Sequence, residues 1–273
     1  MIEWIAPVTA LATAGWFSQR YAWWRPAVPW TRPRILMYHL ITRPQRGSRY
    51  RGMKVAPEDF EKQLAWLQRE GFHFATVSEL IASPPRSRTV AITFDDGYED
   101  NYSAAFPLLR KYGARATLYL VANRTDGTDW SAKKKAHHNS GELSREPKLA
   151  DSQVLEMLDS AVFELGAHTL THANLAQLSP AERRQEIAGS RQWLEDRFGV
   201  PVKSFAYPFG IWDAQDEQLV HAAGFTSAVT THSGIDSAPF ARPLALRRVK
   251  ISGKENLLAF RIRLRTGRRG LWK

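Results

Sequence analysis

The sequence predicts an α/β fold built around a mostly parallel sheet. From residue 34 to residue 251, strand-like apolar runs alternate with helix-like stretches, which is typical of this class. The chain has 273 residues, of which 44% are hydrophobic, enough to bury the core of one large α/β domain or two small ones. Polar residues follow several of the predicted strands, where parallel α/β folds carry their chemistry. Alternation alone fits either an open sheet or a closed barrel.

In the first half of this alternation, three strands enclose two helices. The segments "RILMYH", "TVAITF" and "ATLYLV" are apolar runs of strand length. In "PEDFEKQLAWLQREG", Phe60, Leu64 and Leu67 share one helical face, Pro57 suits the first turn and Gly71 ends the helix. The segment "SAAFPLLRKYG" predicts a shorter helix that ends at its glycine.

The second half continues the pattern after a polar loop at residues 126–149. That loop contains Lys133–Lys135, His137 and His138, and whether it forms a lid is left open. The helix that begins at Pro180 has the strongest start signal, a capping box between Ser179 and Glu182. "SQVLEMLDS" and "AQDEQLVHAAG" predict further helices, and "VFELGAH", "VKSFAYP", "FTSAVTT" and "LALRRVKI" predict strands.

Charge and tryptophan are concentrated at the two ends of the chain. The net charge is +11, and residues 242–273 hold 11 basic residues against one acid, Glu255. Five of the ten tryptophans lie in the first 30 residues: Trp4, Trp16, Trp23, Trp24 and Trp30. An anionic membrane surface is the favoured partner, because indoles and basic residues both prefer it. A solvated basic face with packed tryptophans is the alternative. A nucleic-acid partner is not expected, because it would not explain the acid and histidine pattern described below.

We therefore divide the chain into three parts: a Trp-rich segment at 1–32 that is a candidate for membrane contact, a catalytic domain at 33–255 and a basic tail at 256–273. The apolar stretch Ile5–Phe17 follows Glu3 instead of basic residues, unlike a signal peptide, and it is shorter than the roughly 20 residues that span a bilayer. We expect a cytoplasmic protein, peripheral at the inner face of the cytoplasmic membrane, with a periplasmic location as the alternative. Cysteine is absent, which excludes disulfides and thiolate metal sites.

Two groups of residues at strand ends suggest a metal site. Asp95 and Asp96 end the strand "TVAITF", and Gly97 lets the chain turn. Taken alone they are an ordinary Asp-Gly turn. His168 and His172 follow another strand, and on a helical turn residues four apart face the same side. Together with Asp96 they offer three ligands and leave a position open for water, as a catalytic zinc site requires.

Two other strand ends carry candidate groups. The turn "SFAYPFG" is either a plain proline turn or one that offers a backbone N–H to a developing oxyanion. His39 ends the first strand, and an imidazole there can act as a general acid because it titrates near neutral pH.

"TFDDG" followed by "HTLTH" resembles the polysaccharide deacetylases, carbohydrate esterase family four, and the resemblance extends from Arg34 to Ile251. It implies a distorted (β/α)7-type barrel that removes N-acetyl groups from amino sugars with a divalent metal. It also implies that Asp95 is the catalytic base and that the metal ligands are Asp96, His168 and His172. Zinc is the expected ion, although cobalt, nickel and manganese also suit these ligands.

The same resemblance suggests roles around the proline turn. "AYPFG" matches the family's R-P-P-Y-G segment, which puts the oxyanion N–H on Phe209 and Tyr207 near the substrate. Ala206 stands where the family has the arginine that steadies the base. Arg248 is the candidate replacement, and its neighbour Arg247 is the residue that could exchange roles with it.

The family's L-x-x-H motif is matched by Leu36–His39 instead of by residues near the C-terminus. This suggests the circularly permuted branch, which resembles deacetylases of exopolysaccharide and of lipid-linked sugars. His39 is then the general acid, with His232 as its rival.

The expected function is deacetylation of an N-acetylhexosamine on a polyprenyl phosphate, as used in lipopolysaccharide modification. Two alternatives stay open. The first is an exported deacetylase of exopolysaccharide, chitin-like or peptidoglycan chains. The second is an inactive sugar-binding relic, which only the missing arginine at position 206 supports.

Overall fold

The computed structural model describes residues 5–124, 141–268 and 270. Lys133–Lys135, His137 and His138, the residues for which a lid was considered, lie outside the described residues.

Eight strands and eight α-helices make up the described chain. The strands are β1 (Arg34–Tyr38), β2 (His73–Ala75), β3 (Thr89–Asp96), β4 (Ala116–Leu120), β5 (Phe163–Ala167), β6 (Ser204–Ala206), β7 (Ser227–Ser233) and β8 (Leu246–Lys250). The helices are α1 (Ile5–Tyr21), α2 (Pro57–Arg69), α3 (Val77–Ala82), α4 (Phe106–Lys111), α5 (Asp151–Asp159), α6 (Pro180–Phe198), α7 (Ala214–Ala222) and α8 (Leu257–Thr266). A π-helical turn, Asn101–Ala105, leads into α4.

Seven strands close into a parallel barrel. The order around the ring is β1, β3, β4, β5, β6, β7 and β8, and β8 pairs with β1 again. The short strand β2 runs beside the first three residues of β3 and is an addition to this ring. The predicted (β/α)7-type barrel is therefore confirmed, whereas the circular permutation stays a prediction.

The closing strand β1 sets the position of the candidate site. Its five residues pair with β3 from Arg34 opposite Val90 to Tyr38 opposite Phe94. On its other side, Met37 pairs with Lys250 of β8. Because all the strands are parallel, the residues that follow β1, β3 and β8 meet at the same end of the barrel.

Side chains alternate between two cores. A large core outside the ring packs strand residues such as Phe94 and Phe205 against helix residues such as Leu64 of α2. A smaller cluster contains Ile35, Ala91, Tyr119, Ala206 and Leu246 from the strands together with Val77 and Leu80 of α3. Since α3 contacts both β3 and β7, it closes the amino-terminal end of the barrel. The carboxyl-terminal end of the barrel stays open, and a functional site is expected there.

The basic C-terminal stretch includes a helix of the domain. Phe260 and Leu264 of α8 are buried in the large core, so the part of the predicted tail at 257–266 packs against the barrel. Arg265 donates hydrogen bonds to the carbonyl oxygens of Trp23 (2.6 Å) and Arg25 (2.7 Å). The Trp-rich segment and the basic stretch therefore lie side by side.

The N-terminal helix α1 carries an exposed tryptophan at position 16, and Trp23 and Trp24 follow it, each more than half exposed. Among the described residues, no helix combines the length and hydropathy that crossing a bilayer requires.

Candidate active site

Three buried side chains converge at the carboxyl end of the barrel. Asp96 is the last residue of β3, His168 directly follows β5, and His172 lies in the loop beyond it. Asp96 Oδ1 is 3.3 Å from His168 Nε2 and 3.4 Å from His172 Nε2. All the potential ligand atoms lie within 4.8 Å of one another, so one divalent ion fits between them. Two imidazoles and a carboxylate form a donor set that suits such an ion.

A backbone contact orients one of these histidines. His168 Nδ1 lies 2.7 Å from the carbonyl oxygen of Ala206 in β6. Because a carbonyl only accepts, Nδ1 carries the proton and Nε2 presents its lone pair to the site. The neighbouring strand β6 thereby fixes the tautomer that a metal ligand needs.

The segment between the two histidines is not helical, which corrects the sequence-based expectation. Thr169 and His172 have φ of 64° and 58°, so the chain passes twice through the left-handed region. The Thr169 hydroxyl accepts a hydrogen bond from the Ala173 N–H at 3.3 Å, and this bond closes the loop. Asp96 and Phe209 also have positive φ, at 80° and 59°. Such conformations cost about 1–3 kcal/mol each and concentrate at functional sites.

Asp95 lies beside this group, inside the barrel, and is held by an arginine. Arg248 of β8 donates to both carboxylate oxygens, at 2.6 Å and 2.7 Å. The same guanidinium donates to the Thr93 hydroxyl (3.0 Å) and the Thr230 carbonyl (2.8 Å). Ala206, which stands where the family has an arginine, is buried in the small inner cluster. The guanidinium beside Asp95 comes instead from Arg248 on β8. Arg247 is exposed and pairs with Asp236 instead.

These contacts set the charge of both acids. Burial alone would raise the pKa of Asp95, but the charge and hydrogen bonds of Arg248 outweigh it and leave the pKa lowered. Burial opposes ionisation of Asp96 as well, yet the hydrogen bond from His168 and the charge of His172 hold its pKa well below the usual range. Both carboxylates are therefore ionised at neutral pH.

His39 reaches this pair of acids. Its Nε2 lies 3.9 Å from Asp95 Oδ2, and its side chain is 16% exposed. Burial lowers the pKa of His39; Asp96 and Asp95 raise it, and Lys250 and Arg248 lower it. The net pKa is below the ordinary value for histidine. The rival residue His232 is exposed and stacks edge-on against Trp212 at a centroid distance of 4.8 Å.

Phe209 covers one side of the candidate metal site. Its ring lies 4.7 Å from the ring of His172, and its backbone is in the left-handed region, with φ of 59°. This placement is compatible with an oxyanion N–H at Phe209.

Tyr207, which the sequence places near the substrate, requires a correction. Its side chain is fully buried in the outer core, stacks on Trp212 and donates to the carbonyl oxygen of Leu244 at 3.0 Å. Tyr207 directly follows the inward-facing Ala206, so the alternation of side chains along the strand turns it outward. The Tyr207 hydroxyl therefore supports the fold instead of contacting a ligand.

The sequence did not identify several supporting residues. Thr93 and Thr230 hold the Arg248 guanidinium, and Asn101 donates to the His39 carbonyl oxygen (2.8 Å) and to Asp100 Oδ1 (2.9 Å). Burial raises the pKa of Asp100 to about 7, so this acid titrates near neutral pH beside the site. The only sequence signal for Asp100 and Asn101 is that they lie three and four residues after the glycine of "DDG".

Comparisons with known proteins agree with this geometry. The family model described as Polysaccharide deacetylase matches residues 82–228. YxkH of Bacillus subtilis (strain 168), itself named only provisionally as a polysaccharide deacetylase, is 29% identical over 236 residues, covering 85% of this chain and 75% of that protein. The poly-beta-1,6-N-acetyl-D-glucosamine N-deacetylase of Staphylococcus epidermidis is 27% identical over 169 residues. That alignment covers 58% of this chain and only 54% of the staphylococcal enzyme.

Two solved structures share the fold. The polysaccharide deacetylase BC0361 from Bacillus cereus superposes with a TM-score of 0.72 at 26% identity, covering 86% of this chain and 69% of that one. The Streptococcus pyogenes deacetylase PplD, solved in complex with acetate, gives a TM-score of 0.70 at 26% identity, covering 85% and 97%.

Proposed function

Because the chain belongs to the polysaccharide deacetylase family, we propose that it hydrolyses the acetamide of an N-acetylhexosamine in a metal-dependent reaction that releases acetate. One observation carries the proposal. A buried group of Asp96, His168 and His172, suited to a divalent ion, lies directly beside a second carboxylate, Asp95, that an arginine holds ionised. A zinc ion is the proposed occupant, because two imidazoles and one carboxylate are a common zinc set.

A divalent ion in this group would act as a Lewis acid, polarising the acetamide carbonyl and lowering the pKa of a water molecule. Asp95 accepts the proton of the attacking water, and its Arg248 clamp keeps it unprotonated beforehand. The Phe209 N–H donates a hydrogen bond to the carbonyl oxygen as negative charge develops there. His39 donates a proton to the departing amine, so that acetate and a free amino sugar are formed. Two acids are needed because one carboxylate cannot both remain a metal ligand and accept a proton.

Exchanging each of the two neighbouring acids for its amide tests this division of roles. Asp95→Asn is expected to lower kcat by about 10²- to 10⁴-fold, the usual range for a lost general base, with the bound metal retained. Asp96→Asn is expected to lose both metal and activity. The measurements are acetate release and metal content of the purified proteins. Asp159→Asn, at the exposed end of α5, is the matched control.

Undiminished acetate release by Asp95→Asn would refute the assigned base. If the wild-type protein, loaded with zinc, cobalt, nickel or manganese, releases no acetate from any N-acetylhexosamine, the sugar-binding relic becomes the better description.

The relatives favour a polymeric substrate. The staphylococcal relatives are named as poly-beta-1,6-N-acetyl-D-glucosamine N-deacetylases, which supports a β-1,6-linked exopolysaccharide for this chain as well. An exported, periplasmic enzyme would meet such a polymer.

The surface favours a second candidate, an N-acetylhexosamine on a polyprenyl phosphate, of the kind used in lipopolysaccharide modification. Exposed Trp23 and Trp24 lie next to α8, which carries Arg261, Arg265 and, just beyond it, Arg268. Indoles and cations together suit an anionic membrane surface, where a lipid-linked sugar is found. This candidate goes with a peripheral location at the inner face of the cytoplasmic membrane.

Side-by-side acetate release from a β-1,6-linked N-acetylglucosamine oligomer and from a polyprenyl-phosphate N-acetylglucosamine distinguishes the two candidates. A preference for the oligomer supports the polymer, and a preference for the lipid-linked sugar supports the membrane-face enzyme.

A further inference from the structure

A second, basic cavity adjoins the candidate active site. It has a volume of about 330 Å³ and lies between the loop that follows β1 and the ends of β7 and β8. Tyr50, Gly52 and Met53 form one wall. Its polar lining consists of four cations and two hydroxyls: Arg49, Lys250, Lys254, Arg263, Ser233 and Ser252.

The strand pairing fixes this cavity next to the groups proposed to act on the substrate. Lys250 ends β8 and pairs with Met37, two residues before His39. Ser233 ends β7 and pairs with Arg248, the residue that clamps Asp95. The electrostatic influence of Lys250 on His39 is consistent with this short separation. The cavity therefore lies on the side of the candidate site where His39 and Arg248 stand.

The cavity is held in shape by close backbone packing. Gly253 approaches the loop after β1 so closely that a Cβ there would lie 1.7 Å from the Lys54 carbonyl oxygen. Beside it, the Lys254 N–H donates to the Ser252 hydroxyl at 3.3 Å. The backbones of the two loops that carry Arg49 and Lys254 are therefore packed against each other.

The cavity carries a net positive charge. Arg49, Lys250 and Lys254 are exposed, whereas Arg263 is buried and paired with Glu255. The other nearby acids, Glu142 and Glu146, share the buried Lys54, and Glu142 Oε2 also accepts the Arg49 backbone N–H at 3.1 Å. Cations with hydroxyl donors among them match the oxygens of a phosphate, which accept several charge-assisted hydrogen bonds.

We propose that this cavity binds a phosphate group carried by the substrate on the carbon next to the N-acetylated one. The inference rests on the proposed deacetylase function and narrows its substrate class to an N-acetylhexosamine 1-phosphate or its ester. In such a sugar the phosphate on C1 is one carbon away from the acetamide on C2. When the amine nitrogen faces His39, a phosphate on C1 is close enough to reach the side of His39 on which Lys250 lies.

The test removes two exposed cations from the cavity and two from elsewhere. Arg49→Gln with Lys254→Gln alters the lining without touching the proposed catalytic groups. Arg86→Gln with Lys203→Gln removes the same charges just before β3 and β6, at the opposite end of the barrel. Acetate release is measured with N-acetylglucosamine 1-phosphate, its neutral methyl glycoside and polyprenyl-phosphate N-acetylglucosamine. Calorimetry measures binding of the soluble 1-phosphate independently of turnover.

We expect the cavity variant to lose about tenfold or more in affinity and in kcat/KM for the phosphorylated sugars, with the neutral glycoside and the control variant unaffected. Equal losses for the soluble and lipid-linked sugars would mean that the phosphate alone is recognised. A loss confined to the lipid-linked sugar would assign the cavity to a membrane-borne headgroup.

Equal binding of the 1-phosphate by wild type and cavity variant would overturn the inference, whether or not acetate is released. Absence of acetate release from every substrate would refute the deacetylase proposal instead, and the calorimetric comparison would still decide on the phosphate site.

Discussion

The pairing of Asp95 with Arg248 is the clearest case of one residue setting the chemistry of another. The guanidinium binds both carboxylate oxygens from inside the barrel and lowers the pKa of Asp95. Arg248 is thus a positioning residue for the proposed base. It approaches Asp95 from β8, whereas the family's arginine would stand in β6 at the position of Ala206.

Arg248→Lys should keep the charge but lose the two-pronged contact. A lysine provides a single ammonium, so we expect kcat/KM to fall by about tenfold or more. The pKa of Asp95 should rise, because the contact that lowers it is weakened. Since the base must be unprotonated, the acidic limb of the kcat/KM profile should move to higher pH.

Arg247→Lys, on the exposed neighbour, is the matched control and should leave the profile in place. If the acidic limb of the Arg248→Lys profile is unchanged while circular dichroism shows an intact fold, Arg248 does not control the ionisation of Asp95.

Lys250 influences the pKa of His39, the proposed general acid. Burial lowers the pKa of His39, and the charge of Lys250 lowers it further. Lys250→Gln should therefore raise the pKa of His39. Because the general acid must be protonated, the basic limb of the profile should move to higher pH with a neutral N-acetylglucosamine oligomer as substrate. Lys254→Gln serves as the control, and a shift towards lower pH in Lys250→Gln would exclude His39 as the group observed.

The individual residues also show what sequence can and cannot reveal. That Asp95, Asp96, His168 and His172 lie together was predictable, because their residue types and their places after strands are visible along the chain. Tyr207 was misplaced, because it directly follows the inward-facing Ala206 and its side chain therefore points into the outer core. Thr93 and Thr230 could not be identified, because their contact with Arg248 depends on three strands meeting in space.

Among the connecting elements, the turn after β3 matters most, because it begins directly after Asp96. Gly97 has φ of +87°, and a Cβ there would lie 2.3 Å from Leu120 Cδ1 of β4. Only glycine fits both the backbone angle and the space. The left-handed conformations of Asp96 and His172 were not foreseen, because neither residue type requires them.

Gly97→Ala should therefore destabilise the protein and disturb the metal site together. We expect a loss of about 2–4 kcal/mol in the free energy of unfolding, from left-handed strain plus overpacking. Gly113→Ala isolates the first cause, because Gly113 has φ of +58° but no atom within 4 Å of the added Cβ. Its expected cost is about 1–2 kcal/mol.

Thermal unfolding and metal titration measure both variants. Equal destabilisation by the two substitutions would show that Leu120 yields to the new methyl group and that the packing argument is wrong.

Most of the barrel strands were predicted because each is an apolar run bounded by a turn or helix signal. The strand β2 was missed because it has three residues, and α3 because its six residues show too little periodicity. The helix α8 was taken for a tail, since its basic residues hide an apolar face formed by Phe260 and Leu264.

Taken as a whole, the molecule joins its two ends on one surface. Arg265 binds the carbonyl oxygens of Trp23 and Arg25, and the Val28 N–H donates to the Arg265 carbonyl oxygen at 2.8 Å. The barrel closes between β1 and β8, so the segment before β1 and the segment after β8 become neighbours. This contact cannot be predicted from any local sequence pattern, because it depends on the closure of the barrel.

This joined surface leads to the last prediction, that the protein binds vesicles containing anionic lipid. Trp23→Ala with Trp24→Ala should weaken that binding by about tenfold or more, because two half-exposed indoles no longer enter the interface. Added salt should weaken the binding of the wild type, since the basic residues contribute electrostatically. Co-sedimentation with vesicles of neutral and of mixed anionic lipid measures both effects. Trp193→Ala on α6, 38% exposed, is the matched control. If the wild type ignores anionic vesicles, the proposed location at the membrane face fails, and the polymer becomes the better substrate candidate.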